Sequence, residues 1–93
     1  MLRIELFPDL SHCVEAVARK EYEEALKRLL TQGEMTEELE ERAEILRLFL
    51  ESADFRKLRA DSEKHLLESK RVKFVVYLEY GIAKYEMSVS PEP

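Results

Sequence analysis

Residues 72–89 hold two alternating stretches whose apolar parity reverses across one glycine. Val72, Phe74, Val76 and Leu78 are apolar at even positions, Ala83, Tyr85, Met87 and Val89 at odd ones, and Gly81 stands between them. Side chains on a strand alternate faces with period two, so one unbroken strand would send these sets to opposite sides. Folding back around Tyr80 and Gly81 pairs Leu78 with Ala83, Val76 with Tyr85, Phe74 with Met87 and Val72 with Val89. All eight then share a face. Three backbone solutions fit. A two-residue turn puts Tyr80 at positive φ, where a side chain is strained and Asn or Asp is commoner. A four-residue loop from Glu79 to Ile82 keeps the same pairs without that strain. A bulge at Gly81 in one long strand also reverses parity.

A two-stranded ribbon needs a cover and further pairing, and the rest of the chain supplies both. Met1 to Phe7 reads as a short strand, with Leu2, Ile4 and Leu6 on one face and Pro8 ending it. Asp9 or Ser11 can cap a first helix whose stripe runs from Leu10 and Cys13 through Tyr22 to Leu29 and Leu30, stopped by Gly33. Glu15→Arg19, Glu23→Lys27 and Glu24→Arg28 place acids one turn ahead of bases on its other side. Thr36 caps a second helix bearing Leu39, Ala43, Leu46, Leu50 and Ala53. Ser52 and Asp54 mark a break before a third, from about Asp54 to Ser69, whose charge pairs run in the less favourable order. The expected architecture is α+β: a small antiparallel three-stranded sheet, N-terminal strand plus C-terminal hairpin, covered on one face by two to three helices in the order β-α-α-α-β-β. Residues 1–93 form one domain, with 90–93 expected as a frayed tail.

Composition narrows the class. The chain is 45% hydrophobic and 38% charged, too apolar for disorder and too charged to cross a bilayer. Cys13 is the only cysteine, which excludes an intrachain disulfide and fits a reducing cytoplasm. There is no Asn and a single Gln beside abundant Glu, Lys and Arg, a bias of hyperthermophile proteins. The net charge of −5 is uneven. Residues 1–55 hold seven bases against fourteen acids, whereas 56–73 hold Arg56, Lys57, Arg59, Lys64, Lys70, Arg71 and Lys73 against Asp61, Glu63 and Glu68.

Catalytic motifs are absent from this pattern. Ser11, His12 and Cys13 sit at a helix start where a thiolate is favoured, yet no further group is placed to orient them, and Cys13 belongs to the apolar stripe. His65 with Asp61 and Glu68 offers three metal ligands at helical spacing, fewer than a zinc site needs. Glu37, Glu38, Glu40, Glu41 and Glu44 lack a cation-wrapping loop and read as a solvated face. Two glycines cannot form a phosphate loop. No cofactor or metal is expected, and enzymatic activity is not the reading these residues favour.

Two binding readings stand. The sheet face away from the helices carries Phe7, Val75, Tyr77 and Ile82 among charges, and a three-stranded sheet has two edges to protect. A homodimer answers both, so a homo-oligomeric interaction or structural module with Phe7, Val75, Tyr77 and Ile82 at the interface is the first expectation. The alternative is a winged-helix-like nucleic-acid binder, using Arg56, Lys57, Arg59 and Lys64 in a groove and Lys70, Arg71 and Lys73 on phosphates.

Overall fold

The parity reversal is resolved as a two-residue hairpin. The computed structural model describes residues 2–33 and 36–91. In chain order the elements are β1 (Ile4–Leu6), α1 (Val14–Leu30), α2 (Glu37–Ser52), α3 (Phe55–Leu67), β2 (Lys70–Glu79) and β3 (Ile82–Pro91). β2 and β3 pair antiparallel with Leu78 opposite Ala83, Val76 opposite Tyr85, Phe74 opposite Met87 and Val72 opposite Val89, the expected register throughout. Tyr80 has φ 54° and Gly81 φ 76°, so the strained alternative is the one adopted. Positive φ at both central residues gives the turn a twist matching that of the strands, and the four-residue loop lacks this match.

β1 pairs antiparallel with β2, Ile4 opposite Val76 and Leu6 opposite Phe74, so the sheet order is β1-β2-β3. The expected strand over Met1 to Phe7 shrinks to three residues. The next ladder bond after Leu6 would need a backbone N–H at position 8, and Pro8 has none. At the other end the tail expected from Ser90 is shorter, because Ser90 and Pro91 continue β3 opposite Arg71 and Lys70. Residues 92–93, like Met1, lie outside the described residues.

The helices follow the apolar stripes, with one shift. Asp9 does not cap α1. Its Oδ1 accepts the backbone N–H groups of Ser11 at 2.8 Å and His12 at 2.7 Å, closing a local turn that competes with helix. Helix therefore begins after Cys13, which stands at the cap position with no side-chain cap bond. Thr36 caps α2 as expected, its Oγ1 accepting from the Leu39 amide at 3.1 Å. Ala53 turns extended (ψ 145°), and Asp54 caps α3 by accepting from the Lys57 amide at 3.3 Å, so the break needs no Gly or Pro.

One sheet face meets the helices. Ile4, Leu6, Val72, Phe74 and Val76 are buried there against Val14 and Ala18 of α1, Ile45, Leu46 and Phe49 of α2, and Leu58 of α3. Burying each large aliphatic or aromatic side chain contributes about 1.5–3 kcal/mol. Ala25, Leu39 and Ala43 form a second, smaller cluster where α1 and α2 run beyond the sheet. No helix among the described residues is long and apolar enough to cross a membrane.

Candidate functional site

The outer sheet face presents odd positions from the N-terminal segment and β2, and even ones from β3. Arg3 crosses this face. Its guanidinium lies 4.5 Å from the centroid of the Tyr77 ring and donates to Glu86 Oε2 at 2.7 Å, linking the N-terminal segment to β3 over the top of β2. Lys84 pairs with Glu79 at 3.0 Å on the same face. Val75 and Tyr77 are half-buried side by side, whereas Phe7 (52% exposed) and Ile82 (60% exposed) lie at opposite ends. The four residues expected at an interface thus form a central pair and two outliers.

The seven bases of 56–73 divide between two surfaces. Arg56, Lys57, Arg59 and Lys64 are exposed on α3, on the helix side of the sheet, while Arg71 and Lys73 belong to the outer face. Lys57 donates to Asp61 at 2.8 Å and Arg59 to Glu63 at 3.0 Å, while Lys70 reaches Glu68 at 3.7 Å. The hydrogen bond to Asp61 is the largest cause holding the Lys57 ammonium above its usual pKa, followed by the charge of Asp61 and the nearby Tyr85. Asp61 and Glu68 are thereby occupied. Among the described residues, no group of three or more His, Cys, Asp or Glu side chains is placed to hold a metal. His65 is half-buried, and its Nδ1 has no hydrogen-bond partner among the described residues.

Cys13 and His12 do not work together. The His12 ring is turned to Asp9, with Nδ1 3.1 Å from Oδ1. Cys13 instead lies in a recess of about 220 Å³ with Phe55, Arg56 and Arg59 from α3. Nothing in the sequence links residue 13 to residues 56 and 59; only the packing of α1 against α3 brings them together. A larger recess of about 480 Å³ opens between α1 and α2, lined by Glu21, Glu24, Arg28, Glu38 and Arg42, and inside it Arg42 donates to Glu21 at 2.8 Å. Both signs of charge line that wall, so it favours neither sign of ligand.

The most incomplete surface is β3. It is an outer strand of ten residues, eight of them exposed. On its helix side Ala83 and Met87 are half-buried, and Tyr85 and Val89 remain 38% and 36% exposed. The Tyr85 ring closes an aromatic series: its centroid is 6.1 Å from that of Phe49 and 6.0 Å from that of Phe74, and Phe49 meets Phe55 edge-on at 5.2 Å. The helices bury the inner faces of β1 and β2, but α2 covers this strand only in part. Sequence reasoning placed Tyr85 on the core face correctly, but strand order and the reach of α2 decide how far it is covered.

With the fold and this surface in place, comparison with known proteins defines a class: the chain belongs to a protein family, uncharacterised in function, whose model matches residues 2–88. That span takes in every element, with only the last residues of β3 beyond it. No curated protein and no solved structure matches the chain.

Proposed function

We propose that this protein is a homo-oligomeric interaction module of a reducing compartment, with its own copy as partner. The observation that carries this reading is β3, an outer strand of ten residues with apolar side chains partly uncovered on the helix side. Proteins commonly blunt such an edge by shortening, covering or charging it. The other edge is short, since β1 has three residues. The outer-face contact through Phe7, Val75, Tyr77 and Ile82 is the less favoured surface, because Arg3 already lies over Tyr77. Nucleic-acid binding through residues 56–73 has less support, since Arg71 and Lys73 face away from α3 and Lys57 and Arg59 are ion-paired.

Sedimentation velocity over a micromolar concentration series tests the reading. A dimer of two 11.0 kDa chains, about 22 kDa, is the expected species. A mass of one chain at every concentration removes it.

A further inference from the structure

We propose that two copies pair through β3, antiparallel about a two-fold axis at Tyr85, so that two three-stranded sheets become one continuous sheet. This inference rests on the self-association proposed above and names the surface and its register.

The backbone sets which residues are available. A two-residue turn makes Glu79 and Ile82 the closing pair, which exchanges its hydrogen bonds, and antiparallel pairs then alternate along the ladder. Even positions of β3 therefore bond to β2. Ala83, Tyr85, Met87 and Val89 direct their N–H and C=O groups to the free side. Pro91 falls in the same set, and a proline is tolerated there because the N–H it lacks is one β2 does not use. The free edge thus offers a row of donors and acceptors ended by a proline.

Charge then selects among registers. A symmetric antiparallel pairing that keeps the apolar side chains together must set odd positions opposite odd ones. Centring it on Lys84 places Lys84 against its own copy. Centring on Glu86 does the same with Glu86, and like charges directly opposed are destabilising. A centre on Met87 sets Lys84 and Glu86 opposite serines and needs an N–H from Pro91. Centred on Tyr85, each Lys84 faces the second copy's Glu86, Ala83 faces Met87, and Ile82 faces Ser88. This register satisfies both charges twice over by symmetry.

The core supports the same axis. The series Phe55–Phe49–Tyr85 runs toward the free edge and stops at a ring still 38% exposed. With Tyr85 beside its symmetry mate, the two series join and the helix-side face of the sheet is continuous across the axis. Lys84 and Glu86 keep their own pairs to Glu79 and Arg3, exposed contacts that add little by themselves and leave both side chains free to turn toward a second copy.

Amide hydrogen exchange read alongside sedimentation tests the pairing, with Lys84 and Glu86 amides, bonded to β2 in either state, as internal controls. Slow exchange at Ala83, Tyr85 and Met87 that is lost on dilution into the monomer range is the expected result. A dimer whose Ala83, Tyr85 and Met87 amides exchange as fast as in the monomer overturns the edge pairing and leaves self-association through another surface. A monomer at every concentration overturns both. For the register, Lys84→Glu should raise the dimer dissociation constant about tenfold or more, and adding Glu86→Lys should return it to within about threefold of the parent. Circular dichroism checks that both variants fold. A dissociation constant unmoved by the first change, or not restored by the second, overturns the Tyr85-centred register.

Discussion

Tyr80 shows how a residue can be locally wrong and globally required. Its φ of 54° costs a residue with a Cβ on the order of 1 kcal/mol, yet a two-residue turn of type I or II, free of that strain, would splay strands that are otherwise in register. The ring is 94% exposed, so nothing is lost by removing it. Tyr80→Asn should therefore stabilise the fold by about 1 kcal/mol in urea denaturation, because Asn tolerates the left-handed region. A loss of stability would contradict this account of the turn. Asp9 makes a different trade. The slight desolvation of this exposed carboxyl works to raise its pKa, but backbone hydrogen bonds from His12 and Ser11, with the His12 ring, hold it below the usual carboxylate value. A depressed folded-state pKa gives stability that is present above the unfolded value and lost as pH falls through the folded one. The amide resonances of Ser11 and His12 should accordingly move toward random-coil positions only in that acidic window. Asp9→Asn, which keeps an acceptor and removes the titration, should abolish the acid-dependent movement.

At the scale of elements, caps and the aromatic series decide where helices begin and how firmly they dock. Thr36→Ala removes the acceptor for the Leu39 amide and should cost about 1 kcal/mol in chemical denaturation. Phe49→Ala should cost about 3–5 kcal/mol, since Phe49 is fully buried and touches both Phe55 and Tyr85. A much smaller loss would mean that α2 is not held to the sheet through this ring. The pairing of β2 with β3 was legible in the sequence because period-two parity sets even positions opposite odd ones and Gly81 marks where the chain turns. The start of α1 was not, because an Asx turn and an N-cap call on the same side chains, and the geometry of Asp9 chose the turn. Pro91 hid the end of β3 for a related reason: proline reads as a strand breaker until one knows which side of the strand faces solvent. The neighbourhood of Cys13 was illegible altogether, since Arg56 and Arg59 reach it only through the packing of α1 against α3.

At the scale of the molecule, the structure is lopsided: a sheet closed by a three-residue strand on one side and open along ten residues on the other. If β3 pairs with its own copy, association is linked to folding by mass action, and the thermal midpoint should fall by a few degrees on tenfold dilution. A midpoint independent of concentration would mean that no self-association stabilises the fold. The short side has its own consequence, in time rather than in space. Ile4 pairs with Val76, roughly seventy positions later, among the longest loop closures a chain of this size can make. During synthesis the helices α1 and α2 can form and dock on each other while residues 74–76 have yet to be made. β1 must therefore wait, unpaired, until three helices and most of β2 have followed it, and the earliest strand of this sheet depends on one of the later elements for its only partner.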